Sequence, residues 1–160
     1  MTVDKNQAVI NFLIQCPQIR DNPLFFNFAE AKNDNKQIVT MANDKSINKG
    51  FVDGSVSKRF TFTLIDYRSI NYQALVKLPN YQNENVSEFL DIQSIMDWVN
   101  EQNELRNFPD FGNDCVIENM RTATDEPNLN GVDNSVSPSL AKYSMSIIIE
   151  YLDNSKKIWN

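Results

Sequence analysis

Few residues in this sequence have types and spacing that could do chemistry. They are two cysteines, the tripeptide Asp110-Phe111-Gly112, the segment Glu126-Pro127-Asn128-Leu129-Asn130-Gly131, and four clustered cations, Lys45, Lys49, Lys58 and Arg59. Cys16 and Cys115 stand far apart, with no CxxC and no second pair to complete a zinc site. They read as half-buried thiols acting as small apolar residues, although an oxidising environment could join them in one disulfide. Asp110-Phe111-Gly112 spells the magnesium-holding motif of kinases. That motif works only beside a catalytic-loop His-Arg-Asp and a lysine strand, so here it reads as a turn between a helix and a strand. Glu126–Gly131 echoes the first half of a calcium loop. It has Glu126 where Asp is wanted, Ser137 where the bidentate Glu should stand, and Pro127 between the ligands. Close carboxylates such as Asp44 with Asp53, or Glu88 with Asp91, are expected by chance among 21 acids and read as solvated charge. The basic stretch beside Phe51 and Tyr67 has three readings: a nucleic-acid contact, a charged loop leading into a strand, or a surface that meets an acidic partner such as a second copy.

One absence outweighs these. The 160 residues contain no histidine, which removes Ser-His-Asp and Cys-His nucleophiles and His-ligated metals. Only four glycines leave little for phosphate-cradling loops. Fifteen Lys and Arg against 21 Asp and Glu give a net charge of −6, the wrong sign for gripping nucleic acid by bulk charge. A hydrophobic share of 41% and a charged share of 22% fit a folded, soluble domain rather than a disordered chain. The expectation is therefore a non-enzymatic protein with no catalytic residue, no cofactor and no metal. No stretch reaches the roughly 20 apolar residues that cross a bilayer, and the polar start Met1–Gln7 leads into an apolar run too short for a secretory signal. Production in the cytoplasm, without a membrane partner, is the simplest expectation.

The elements that must position these residues follow from periodicity. Asp4 can cap a helix to Gln15, with Gln7 completing a capping box; Val9, Phe12, Leu13 and Cys16 share one stripe, and Pro17 stops it. Leu24–Phe28 reads as a strand with Gln37–Met41 as its hairpin partner. Phe25, Phe26, Phe28, Phe60 and Phe62 read as core. Arg59–Tyr67 alternates, with Phe60, Phe62 and Leu64 on one face and Thr61 and Thr63 on the other. Tyr72–Leu78 could extend or pair with that strand, and Pro79–Asn85 reads as a loop. From Ser87 to about Asn107 a helix places Phe89, Ile92, Met96 and Val99 on one stripe, widened by Ile95 and Trp98. Cys115–Met120 and Tyr143–Leu152 form a closing hairpin. Long loops are expected at about 33–57 and 124–139, and an extended tail at 153–160. The expected fold is one α+β domain over 1–160: a mainly antiparallel sheet with two helices packed on one face, in the order helix–strands–helix–strands.

The helix Asp4–Gln15, the strand Arg59–Tyr67, the acidic helix Ser87–Asn107 and the hairpin Cys115–Met120 with Ala141–Tyr151 together resemble the tail terminator proteins of long-tailed bacteriophages. Asp114-Cys115-Val116-Ile117-Glu118 and Tyr151-Leu152-Asp153-Asn154-Ser155 are also similar to phage tail proteins of bacteria such as clostridia. The resemblance covers most of the chain in topology. It implies a structural virion protein that forms a homo-hexameric ring, stacks on the tail tube protein and meets a neck or head-completion protein. If some of the ring's negative charge lines the bore, DNA would pass through the lumen without specific binding, since like charge suppresses phosphate contact. Another neck component and an acidic binding module are the alternatives. A closed ring joins one patch to a different patch on the next copy. The candidate subunit interface set against that need is Lys45, Lys49, Phe51, Asp53, Lys58, Arg59, Asp125, Glu126, Asp133 and Trp159.

Overall fold

The structure, a computed structural model, describes residues 3–21, 24–27, 32–33, 35–40, 47–70, 79–135 and 139–158. Two strands of 15 residues each organise it. Strand β4 (Val56–Ile70) and strand β7 (Ser139–Asp153) pair antiparallel along their whole length, from Val56 opposite Asp153 to Ile70 opposite Ser139. Shorter strands flank this ribbon in pairs. Beyond β4 lie β2 (Lys36–Thr40), opposite Phe62–Asp66, and β3 (Ile47–Gly50), opposite Val56–Lys58. Beyond β7 lie β5 (Cys115–Thr122), against Ile147–Asp153, and β6 (Asn128–Asp133), against Leu140–Ser144. The three-residue β1 (Leu24–Phe26) sits outside β2.

Alternation along the ribbon decides which side is buried. Phe62 and Leu64 of β4 and Met145, Ile147, Ile149 and Tyr151 of β7 point to one face and are buried. The other face is the more polar one, with Thr63 Oγ1 and Ser146 Oγ 3.0 Å apart across the strands and Arg59 opposite Glu150, and it also carries the buried Ile65 and Leu140. Helix α1 (Lys5–Leu13) contributes Val9, Phe12 and Leu13 to the same core cluster. Its Asp4 side chain accepts from the Asn6 and Gln7 amides, satisfying donors that the first turn leaves over. Gln7 does not complete the capping box; its amide nitrogen reaches forward to Asn11. The long helix α3 (Pro79–Leu105) buries Ile92, Ile95, Met96 and Val99, the i, i+3, i+4, i+7 stripe of an amphipathic helix. It ends in a Schellman turn: Asn107 N–H donates to Gln102 O, Arg106 N–H donates to Asn103 O, and Arg106 takes the left-handed position, φ 56°.

The expected fold needs correction. The seven-stranded sheet is mixed rather than mainly antiparallel, because β1 runs parallel to β2 instead of forming a hairpin with it. A three-residue apolar strand carries no signal of direction. Asn27, at φ 59°, turns the chain out of β1 and donates its N–H to Ile38 O, which fixes the parallel register. Nor are there two helices: three are described. Pro17 not only stops α1 but opens a one-turn helix α2 (Pro17–Arg20), since its ring suits the first helical position. The same preference places Pro79–Asn85, expected as a loop, in the first turns of α3. The expected long loops hold β2 and β3 and, on the other side, β6. Phe60 and Phe62 join the core as expected, but Phe25 and Phe26 are exposed. Phe28, Trp159 and all of Tyr72–Leu78 lie outside the described residues, as do Lys45 and Asp44.

Candidate functional site: two opposed corners of the sheet

The candidate interface residues fall at two places. At one, the turn 51–55 joins β3 to β4, and the chain end 154–158 folds against it. Ile158 N–H donates to Asp53 O at 2.6 Å, and Lys157 Nζ lies 3.7 Å from the Asp53 carboxylate. That carboxylate also accepts from the Ser55 amide and hydroxyl, which hold its pKa below the usual range. Val52 is 90% exposed and Ile158 71% exposed, with Phe51 half exposed and Lys49 Nζ 5.3 Å from its ring centroid. Within the described residues 49–55 and 154–158 the result is an apolar tip carrying Lys49, Lys156 and Lys157 against one acid, Asp53.

Gly54 makes the docking of the tail possible. It sits at φ +90°, and a Cβ there would fall on the carbonyl oxygen of Lys156. Both the backbone angle and the close approach call for glycine. Gly54→Ala should cost about 1–3 kcal/mol, the range for a non-glycine held in a sparsely populated conformation. It should also release the chain end, seen as faster tryptic cleavage after Lys156 and Lys157; unchanged cleavage would show the tail is held elsewhere.

At the second place, residues 123–135 carry Asp125, Glu126 and Asp133 and no Lys or Arg. All three acids are exposed, as are Leu129 and Val132 of β6. Gln93 of α3 donates to Asp125 O at 3.0 Å, which ties the turn to the helix and leaves the carboxylate outside that bond. Asp133 accepts from the Ser135 amide and hydroxyl, again lowering its pKa. Because Asn128 onward is strand paired to β7, the segment does not make the turn that a calcium loop requires.

Two of the expected interface cations are engaged within the chain. Lys58 points to the core side of β4, and its Nζ lies 2.7 Å from Asp153. Arg59, one residue on, points to the polar face and reaches Glu150 at 3.3 Å, with Arg121 at 3.9 Å from the same carboxylate. The hydrogen bond from Lys58 is the main reason that the Asp153 carboxyl titrates well below its usual range. A carboxylate with a depressed folded pKa adds stability that is present above its unfolded pKa, near 3.9, and lost as pH falls through the folded one. In Lys58→Met, a carboxyl NMR titration should find the Asp153 pKa moved up towards about 3.9. The stability gap between variant and parent should close on acidification. An Asp153 titration that Lys58→Met leaves unmoved would contradict this pairing.

The remaining chemistry-bearing residues pack or hydrogen-bond within the fold. Phe111 packs edge-to-face on Tyr151 and Phe60, at 5.3 and 5.7 Å between centroids, while Asp110 accepts from the Gly112 amide. A cleft of about 670 Å³ opens beside them, with Lys5, Asp114, Cys115 and Asp153 in its wall. Lys5 Nζ lies 5.5 Å from the Tyr151 ring centroid. Burial raises the Cys115 thiol above its ordinary range, and the same holds for Cys16, whose thiol donates to Gln18. An activated thiolate is shifted in the opposite direction.

Sequence reasoning missed a buried charge cluster. On the core face, Asp66 receives two hydrogen bonds from Arg68, each 3.0 Å, and lies 3.4 Å from Lys36 directly across the strands. Arg68 also reaches Asp91 of α3 at 2.7 Å. The side chains of Lys36 and Asp66 are both 0% exposed. The signal was present: continuing the core-facing positions 60, 62 and 64 by twos arrives at Asp66 and Arg68. Burial pushes the Asp66 carboxyl up, against the pull of the Arg68 hydrogen bonds and the Lys36 charge. No described helix is long and apolar enough to cross a membrane. No protein-family model matches the chain, and no curated protein sequence does either.

Proposed function

We propose that this chain is a structural subunit of a bacteriophage tail, a tail terminator whose copies close into a ring of six. The ring caps the tail tube and joins it to the neck, and its place is the virion. One observation carries the reading: the sheet ends in open edges. Among the described residues, β6 pairs with β7 alone and is exposed at every position, and β1 at the far side pairs only with β2. A sheet with unpaired donors and acceptors on its edge is a template for a further chain, and a subunit whose open edge meets an unlike surface of the next copy joins head to tail. The order of elements that resembles the terminator family supports the specific assignment. The net charge of −6 per chain supports a lumen through which DNA passes without sticking, since like charge opposes phosphate contact.

Negative-stain imaging of the purified chain tests the reading. Rings with a central opening are expected. Compact single particles at every concentration would contradict it, and association only with assembled capsids would favour a different neck component.

A further inference from the structure

We propose that the joint between neighbouring copies is the apolar, basic corner at 51–55 of one chain seated on the acidic β6 corner of the next. This rests on the ring reading and deepens it by naming the two surfaces. The corners occupy opposite ends of the central ribbon. β3 pairs with the start of β4, whereas β6 pairs with the start of β7, which lies against the end of β4. They are therefore separated by about ten residues along the strands, roughly 30 Å at 3.3 Å per residue. Patches so far apart on one molecule do not satisfy each other within a chain, and in a ring each meets the other's counterpart on a neighbour.

Their chemistry is complementary. Val52, Phe51 and Ile158 form a projecting apolar tip, and Leu129 and Val132 offer exposed apolar surface on β6. Lys49 and Lys156 border the tip, while Asp125 and Glu126 border β6; all four residues are exposed. Apolar centres with oppositely charged rims provide both burial and register. A second copy is the occupant because both halves of the match are built into the same sheet.

Charge reversal with rescue tests the joint. Lys49→Glu/Lys156→Glu makes the first corner acidic, and Asp125→Lys/Glu126→Lys makes the second basic. None of these side chains lies in the core, so each variant should keep the parent's melting temperature and circular dichroism. Each alone should lose self-association by about 100-fold or more, since like charges across an interface cost several kcal/mol. Mixed in equal amounts, the two should assemble again, because each reversed corner now meets its complement and the copies alternate around a six-membered ring. Native mass spectrometry would show equal numbers of both chains. If the parent forms rings and both variants do too, the named joint is wrong while the ring reading stands. If the variants stay dissociated when mixed, the joint is also wrong. If the parent never associates, both proposals fail together.

Discussion

Asp66→Asn should destabilise the folded chain by about 3–5 kcal/mol, measured by urea unfolding at neutral pH, because it removes the buried carboxylate charge that faces both Lys36 and Arg68. The cluster sits on the helix-facing side of the sheet, where Lys36 is fully buried and Arg68 nearly so. Removing one partner strands buried charge, whereas replacing the group with apolar side chains of similar size does not. The triple change Lys36→Met, Asp66→Leu, Arg68→Met should therefore lose much less than Asp66→Asn alone, and Asp91, half exposed, can return to water. If the triple variant is the less stable of the two, the cluster is a net source of stability. If it is the more stable, the cluster serves position: Arg68 spans from the sheet to Asp91 and fixes where α3 crosses β4.

Phe62→Ala should cost about 3–5 kcal/mol, the usual loss for truncating a buried aromatic, by the same unfolding measurement. Phe62 is 1% exposed, lies directly opposite Ile147 at the middle of the β4–β7 ribbon, and has its ring centroid 6.3 Å from that of Phe60. Backbone pairing on both sides holds the strand, so the cavity cannot collapse without moving β2 or β7. A loss below about 1 kcal/mol, the scale of a surface change, would mean the ribbon does not form the core as described.

The parts of this fold that bury one face were legible in the sequence. The stripe Ile92, Ile95, Met96, Val99 and the alternation through Phe60, Phe62 and Leu64 each mark a helix or strand with one wet side. The edges were not. β6 is exposed throughout, so its sequence carries no alternation, and its Asn and Gly residues suggest a loop. β1 is too short to declare whether it runs with or against β2. At the candidate site, the basic and acidic segments were visible as charge, but the sequence could not show that Lys58 and Arg59 point to opposite faces and find carboxylates on β7. The tail's contact with Asp53 and Gly54 is made largely by backbone groups, which leave no mark on residue choice beyond the glycine itself.

The central claim is that this chain joins to copies of itself through unlike corners of one sheet. Sedimentation equilibrium of the purified parent chain over a wide concentration range tests it most directly. The expected result is a discrete species of six times the chain mass, weakened as salt screens the charged rims. A single-chain mass at every concentration and at low salt would contradict it.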